Sequence, residues 1–369
     1  MKKRGVNVKL LFIALCDYSD MSNGVTIKVI SQYNAFLENG HDVTLISFSK
    51  NCVYRLHCKN ESLIKVKTKR SGIFNTVCNE IKNKDYDACY FRFCHFDFFS
   101  MRSLRKMHKR GIRVYLEMPS YPIKYTPGKI GMYYKFFDYL NQKIVKRYIY
   151  KILSVGHETN YIYGIENVSI PNGLPKLANI KINLNYDEIN MISVSNMFPG
   201  HGIDRVLRGI SDYYSKSFSK KIYLHLIGEG PELQKLKQLT STLSISPYVF
   251  FYGPLNGEKK DAIYQKCNCG CGPLASHRTG YKLASPLKTK EYLAYGIPFI
   301  CSYDEIGPIN NSDFILKIAA NENAIDIKSV VEFLDALYSQ YGKDIQKHIQ
   351  NKAKTLMSWS SILRVIDNG

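Results

Sequence analysis

Residues 285–291, Ser-Pro-Leu-Lys-Thr-Lys-Glu, set two hydroxyls, cations and an acid within two turns of one another. The spacing predicts a helix over 287–295, ended by Gly296 and followed by the extended apolar run Pro298-Phe299-Ile300-Cys301. A turn that presents free backbone N–H groups, the Lys288 ammonium and the Ser285 and Thr289 hydroxyls at a helix N-terminus suits a phosphate. Glu291, one turn further in, suits a ribose diol. The combination points to a nucleotide diphosphate carrying a sugar.

Other residues could join that chemistry. Gly228-Glu229-Gly230-Pro231 follows a predicted strand and opens a helix, with Pro231 at its first position. Such a Gly-x-Gly either lets the backbone approach a nucleotide or simply turns the chain. Ser22-Asn23-Gly24 is a close turn of the same kind, where glycine permits positive φ. Arg92 and His95 end one predicted strand and Glu117 ends the next, each a candidate for orienting a hydroxyl or a buried structural group. The ten cysteines are scattered, several within apolar strand-like runs. Cys267, Cys269 and Cys271 alternate, so on a strand they share a face and cannot alone supply a tetrahedral metal site. Reduced, buried thiols in a cytoplasm are expected, with no metal and no cofactor.

These residues need elements to position them. A length of 369 residues suits two domains. Val8–Leu15 reads as a strand buried on both faces, and it is preferred to a signal peptide because Asp17 and Asp20 follow without a small-residue cleavage site. A helix over 25–38 and a strand over 43–48 complete a βαβ unit. Further strands are expected at 88–93, 114–117 and 152–155, with helices at 101–109 and 130–151. Residues 175–188 lack periodicity and read as a linker. A second alternating series has strands at 191–195, 223–227, 249–252, 269–272 and 299–301, and helices at 203–216, 231–243, 257–266, 287–295 and 326–340. The expected layout is an N-terminal domain over 1–174, a C-terminal domain over 189–345, and a terminal helix over 346–369 that crosses back. No apolar stretch approaches the roughly 18 residues of a transmembrane helix. The net charge of +20 is spread along the chain without a basic tract or a nucleic-acid signature, so a negatively charged membrane or substrate is the expected partner and nucleic acid is not.

In the second half, Ser193-Val-Ser-Asn196, His201-Gly-Ile-Asp-Arg205, Leu226-Ile-Gly-Glu-Gly-Pro231, Phe250-Phe-Tyr-Gly253 and the 285–298 block follow one another in an order that resembles the donor domain of GT-B glycosyltransferases. More narrowly it is similar to glycosyltransferase family 4, especially its bacterial capsule and exopolysaccharide enzymes. Asn23-Gly24, Glu38-Asn-Gly-His-Asp-Val43, Glu117-Met-Pro-Ser-Tyr-Pro122 and Ile170-Pro-Asn-Gly173 fit the acceptor domain. The resemblance implies an α/β fold of two Rossmann-like domains facing each other across a cleft. It implies metal-independent transfer, with retention, of a hexose-type sugar from a nucleotide-diphosphate donor to a polysaccharide or lipid-linked oligosaccharide. In such transfer the leaving phosphate itself accepts the proton.

Carried over residue by residue, the resemblance puts His201 with Arg92 and Glu117 in catalysis. It puts Asn23, Gly24, Asn196, Arg205, Gly228, Gly230, Tyr252, Arg278, Ser285, Lys288, Thr289 and Glu291 around the donor. Tyr252 lies beside the base or is a core aromatic, and Arg278 reaches the diphosphate or is a solvated charge. Family members commonly carry an Arg and a Lys where this chain has Asn196 and His201. A diphosphate beside His201 would favour its protonated form. Of the family's two glutamates Glu291 matches the later, whereas Leu283 occupies the earlier position. A sugar-nucleotide 2-epimerase and a catalytically inactive sugar-nucleotide binder are the alternatives.

Residues 124–151 interleave cations with aromatics, and positions 130, 133, 137, 140 and 144 form a stripe expected to face the core. Such a helix can meet anionic lipid, placing the enzyme peripherally on the inner face of a membrane.

Overall fold

The apolar run near the N-terminus forms strand β1 (Lys9–Asp17), and its alternation divides the residues between two layers. Leu11 and Ile13 enter one apolar cluster and Leu10, Phe12 and Ala14 the other, as expected of a central strand buried on both faces. The computed structural model describes residues 7–21, 23–50, 52–66, 69–123, 125–216 and 220–367. Ser22 and Lys124, which fall in two of the sequence motifs, lie outside the described residues. The chain divides into two units, one running to Pro171 and resuming at Trp359, the other Asn172–Ser358.

In the first unit β1 leads into α1 (Gly24–Glu38) and β2 (Asp42–Ser49). An antiparallel pair, β3 (Cys52–His57) and β4 (Asn60–Ile64), then extends the sheet edge, followed by α2 (Arg70–Asn83). Next come β5 (Ala88–Arg92), α3 (Phe98–Lys109), β6 (Arg113–Met118), α4 (Lys129–Asn141), β7 (Lys151–Val155), β8 (Tyr161–Ile162) and β9 (Ile165–Ile170). The sheet order is β4-β3-β2-β1-β5-β6-β7-β9-β8. Strand order reverses between β1 and β5, and loops beyond the carboxyl ends of such strands are where ligands sit in open α/β sheets.

The helix expected over 130–151 is shorter than periodicity suggested. The Asn141 amide donates to the carbonyls of Phe137 (3.1 Å) and Phe96 (2.8 Å), competing with the backbone at the end of α4. The stripe expected to face the core does not: Ile130, Tyr133, Leu140 and Ile144 are exposed, and only Gly131 and Asp138 of α4 are buried. The C-terminal residues pack on the opposite side of this sheet from α2 and α3. There Trp359, in α11 (Trp359–Ile362), joins Phe12, Phe36 and Tyr90 in the α1-side core.

The second unit contains β10 (Glu188–Val194), α5 (Ile203–Tyr214), β11 (Lys221–Ile227), α6 (Leu233–Thr242), β12 (Val249–Gly253), α7 (Gly257–Tyr264) and β13 (Cys269–Cys271). It continues with β14 (Leu283–Ala284), α8 (Leu287–Tyr295), β15 (Phe299–Cys301), β16 (Asp304–Glu305), β17 (Ile315–Lys317), α9 (Ile327–Tyr341) and α10 (Ile345–Met357). Six parallel strands run in the order β12-β11-β10-β13-β15-β17, so order reverses between β10 and β13. Residues 175–188, read as a linker, run along this unit and are pinned to it. Ala178 donates to the Ala294 carbonyl, and the Gln350 and Gln346 amides reach the carbonyls of Ala178 and Ile180.

A small parallel pair, β14 with β16, brings Glu305 under the first turn of α8. There Lys290, fully buried, pairs with Glu305, which also accepts from the Thr289 (2.6 Å) and Tyr303 (2.7 Å) hydroxyls. Removing one member of such a pair leaves a charge without compensation, so Lys290→Met should lower stability by about 3–5 kcal/mol. Adding Glu305→Gln should restore more than half of the loss, a coupling measurable by urea denaturation of the two single variants and the double.

Candidate functional site

In the second unit the loops after β10 and β13 are zipped together at the strand-order reversal. Leu274 N donates to the His201 carbonyl (3.1 Å) and Ala275 N to that of Gly200 (3.2 Å). Gly228 and Gly230, with φ of 114° and 158°, serve this same loop. A Cβ at Gly230 would stand 1.8 Å from the Asn196 carbonyl oxygen, and one at Gly228 would stand 2.1 Å from that of Ser195. Close approach is therefore what these glycines provide, but here the backbone they approach is the chain's own. Asn196 is exposed, and Met197 beside it is buried with φ of 39°, a left-handed conformation rare outside glycine.

The two arginines are held by the protein. Arg205 is buried, its Nε donating to the Asn323 carbonyl (2.7 Å) and its Nη2 to the Ala319 carbonyl (3.0 Å) and to Asn321 Oδ1 (2.9 Å), with Nη1 on the Leu274 carbonyl. It acts as a strut between the loop after β13 and residues 319–323. Arg278 makes a two-pronged pair with Asp204 (2.9 Å to each oxygen), also pairs with Glu322, and donates to the Pro199 carbonyl (3.0 Å). These contacts raise its pKa further above the ordinary arginine range. Both guanidiniums shape the loops, and neither is an uncommitted charge.

Lys288 is different. The side chain is partly exposed, but its Nζ is buried and has no hydrogen-bond partner among the described residues. Burial pushes its pKa down to about 8, with only the Cys271 thiol acting the other way. It sits in the first turn of α8, which carries no acid, so the free N–H groups of the helix add to its field. His201 feels this cation: burial first, then Lys288, push the His201 pKa down to about 3. The imidazole is neutral, and the protonation expected beside a diphosphate would have to overcome both effects.

The residues around Lys288, before and on α8, are fixed in several directions. Ser285 Oγ accepts from Asn172 N (2.9 Å), while the Ser285 carbonyl accepts from the Asn172 amide (2.5 Å). Thr289 Oγ1 is taken up by the Pro286 carbonyl (3.0 Å) and Glu305. Glu291 is partly exposed and pairs with Lys260 at 2.5 Å. Leu283, in β14, is partly exposed and contributes no polar side-chain group. Tyr252 is half-buried, its hydroxyl 2.9 Å from His225 Nδ1, with the two rings stacked.

In the first unit, Arg92 and Glu117 meet as expected of neighbouring strand ends, but Glu117 is fully occupied. Its carboxylate receives Lys28 Nζ (2.6 Å), Arg92 Nη1 (3.1 Å), Gln32 Nε2 (2.9 Å) and the Tyr90 hydroxyl (2.8 Å). Burial alone would raise its pKa, yet Lys28 and then Arg92 overcome this and push it down to about 2. A carboxylate so held is a poor proton acceptor and an effective strut between α1, β5 and β6. Asn23 caps α1 by accepting from Val25 N (2.8 Å), and Gly24 lies inside the first turn of that helix, so no positive φ is involved. His95 follows β5 at φ of 104°, with its Nδ1 2.8 Å from Asp138 of α4 and its ring stacked on Tyr134. Among the described residues the one His/Cys/Asp/Glu group with metal-ligand proximity is Asp42, His57 and Cys58, at the amino edge of β2.

A parallel sheet, a strand-order reversal and a buried cation at the N-terminus of α8 now stand together. Residues 177–354 match the family model for glycosyl transferases, group 1. Comparison with curated protein sequences returns no match. Solved structures resemble the chain along almost its whole length. One is sucrose-phosphate synthase from Thermosynechococcus elongatus, with a TM-score of 0.61 at 12% identity over 98% of both chains. Another is the catalytic domain of starch synthase IV from Arabidopsis thaliana bound to ADP and acarbose, with a TM-score of 0.63 at 9% identity over 98% of both chains. A third is HepE from Anabaena in complex with UDP and glucose, with a TM-score of 0.55 at 10% identity over 98% of this chain and 99% of that one. At these identities the likeness is one of fold, the GT-B arrangement of two Rossmann-like domains.

Sequence reasoning missed the partners: Lys260 on Glu291, Asp204 and Glu322 on Arg278, Glu305 on Lys290, and Lys28 on Glu117. A lone acid in an apolar strand, such as Glu117, signals that a cation must exist, but only the fold supplies its number.

Two outcomes follow. Because Lys288 binds its proton less tightly in the folded chain than the usual 10.5, the ligand-free protein is destabilised below about pH 8 and regains stability as pH rises from there towards 10.5. Lys288→Met should therefore stabilise the free protein at pH 7 by about 1–3 kcal/mol, as read by denaturant midpoint. Glu117 has the opposite sign. Its depressed pKa contributes stability that is complete above about 4.5 and lost as pH falls towards 2. Glu117→Gln should cost about 3–5 kcal/mol at pH 7 and flatten the acid limb of the stability profile.

Proposed function

We propose that this protein is a retaining glycosyltransferase that moves a hexose-type sugar from a nucleotide-diphosphate donor to a polysaccharide or lipid-linked oligosaccharide. In this reading it is a metal-independent relative of family 4 in bacterial surface-polysaccharide synthesis. The observation that carries the proposal is the buried, unpaired ammonium of Lys288 at the N-terminus of α8, at the strand-order reversal of the unit that holds the family match. An uncompensated buried cation is costly, and a diphosphate would compensate it.

The chemistry assigns work to few groups. The anomeric C–O bond breaks with its electron pair leaving on the diphosphate, and a new bond forms from the acceptor hydroxyl oxygen to the same face of the sugar. The departing phosphate takes the hydroxyl proton. Lys288 and the N–H groups of α8 stabilise charge where it develops. Glu291, held by Lys260, accepts hydrogen bonds from the ribose hydroxyls. Arg205, Arg278 and the Arg92–Glu117 pair support the surrounding loops and strands. Fold neighbours whose structures hold ADP with acarbose, or UDP with glucose, are consistent with such a donor.

The exposed apolar face of α4 supports a peripheral position on the inner face of an anionic membrane, and no described helix is long and apolar enough to cross one.

The test is a calorimetric screen of UDP-, GDP- and ADP-sugars against the wild type, Lys288→Met and Glu291→Ala. One donor is expected to bind, with at least tenfold weaker binding in each variant. Because the diphosphate favours protonated Lys288, affinity should fall as pH rises above about 8 in the wild type and not in Lys288→Met. Unchanged binding in both variants would remove the assignment. Incubating the bound donor alone separates the rival activities: an epimer would indicate an epimerase. Binding without transfer or hydrolysis would indicate an inactive binder, the reading that Leu283 favours.

A further inference from the structure

α4 carries its apolar residues on the wrong side for a core. Met132, Tyr133, Phe136, Tyr139 and Leu140 recur three or four residues apart and so share one face. Met132, Phe136 and Tyr139 are 67%, 58% and 66% exposed, which is the opposite of what a packed amphipathic helix shows. Gly131 and Asp138 form the buried side. A contiguous apolar face of this kind marks an interaction surface.

Beside that face lies a cavity of about 840 Å³ between α3, α4 and the turn at 145–148. Arg102, Arg105, Lys106, Lys109 and Arg147 line it, and no acid does. Among the described residues none of these five has a carboxylate within ion-pair distance. Among the described residues their one side-chain hydrogen bond is from Arg102 Nη1 to Asn75 Oδ1, at 3.4 Å. Elsewhere in this unit several arginines are matched, as with Arg55 to Glu80, Arg70 to Asp97 and Arg110 to Asp85. The floor is apolar and aromatic, from Met101, Phe137 and Tyr148, and Leu140 belongs both to the cavity and to the exposed face of α4.

We propose that this cavity binds the phosphate headgroup of an anionic phospholipid while the apolar face of α4 enters the bilayer interface. The inference rests on the peripheral-membrane reading above and adds the site that selects the lipid. Five unmatched cations around one concavity repel one another unless an anion joins them. The volume suits a headgroup, within the range of small-molecule pockets. A nucleic acid would satisfy the cations but has no use for solvent-facing Met132 and Leu140, whereas acyl chains do. Each basic side chain near an anionic surface is worth about fivefold in partitioning, so three together should matter on the order of 100-fold.

The experiment is flotation of the full chain with vesicles of phosphatidylcholine, alone or mixed with phosphatidylglycerol. The wild type should bind the mixed vesicles, less so at high salt. Arg105→Gln/Lys109→Gln/Arg147→Gln should lose affinity for the mixed vesicles on the order of 100-fold and keep only the weak binding seen on phosphatidylcholine. Met132→Ser/Phe136→Ser should weaken binding to both. Nucleotide-sugar binding, which resides in the other unit, should be unchanged in both variants and serves as the folding control. If the triple variant floats like the wild type, the headgroup site is wrong and the membrane reading stands. If the wild type ignores mixed vesicles, both are wrong, and the donor-site assignment is judged by its own screen. Competition by millimolar inorganic phosphate at constant ionic strength would assign the cavity to a soluble anion. Tighter binding of single-stranded DNA, lost in the triple variant, would assign it to nucleic acid. Either result overturns the proposal.

Discussion

A buried charge without a partner is the constraint on which the second unit turns. Within three residues of α8 the chain buries two ammonium groups and treats them in opposite ways. Lys290 meets Glu305, and Glu305 is itself steadied by Thr289 and Tyr303. That cluster ties α8 to β16 and so fixes the direction in which the first turn points. Lys288, two residues earlier, is carried by the same rigid turn to a place where no described side chain answers it. The paired lysine holds the helix still, and the unpaired one makes use of the stillness. An ammonium on a mobile loop would hydrate itself. On a helix locked from behind it retains an unmet electrostatic demand, which is what a preorganised anion site requires.

The first unit applies the same physics to a different end. Glu117 is as deeply buried as Lys290, yet two cations and two neutral donors converge on it. Nothing remains for a substrate to satisfy, and the depressed pKa removes any capacity to take a proton near neutrality. Arg92 is drawn into this network and thereby fixed at the carboxyl end of β5. His95, three residues on, is the more unusual group there. It combines a backbone conformation that costs energy outside glycine with a carboxylate partner and a stacked ring, all of which orient its imidazole.

Periodicity carried most of the architecture. β1, α1, α8 and β15 follow from apolar runs, the turn before residue 25 and the Gly296 stop, because each of those signals is local. The β3–β4 pair was not legible, since β4, at the sheet edge, is exposed along most of its length and shows no apolar alternation, whereas α2 went unread despite an apolar period at Ile73, Phe74, Val77, Cys78 and Ile81. The donor-side residues were legible as types in order. Their commitments were not: Arg205 and Arg278 are as basic in the sequence as Lys288, and only the fold shows that both arginines are engaged by carbonyls or carboxylates from residues 199–204, 274 and 319–323. The stripe on α4 was read correctly as a stripe and wrongly as to its side. A helical period states which residues share a face and is silent on whether that face meets the core.

The two departures from the family pattern that the sequence resembles, at the proposed donor site, therefore belong together. With Asn196 exposed and His201 neutral, the loop after β10 offers little positive charge, so the burden shifts to α8. A protonated His201 would stand against Lys288 and raise the cost of burying both. The neutral imidazole is thus the state compatible with a charged lysine in the same confined space. In the proposed site one cation, buried and joined by the dipoles of α8, would do with low local dielectric what two solvated cations do by number. Glu291, one turn away, is neutralised by Lys260, so in the proposed site an acid meant for hydroxyl groups would not oppose the diphosphate.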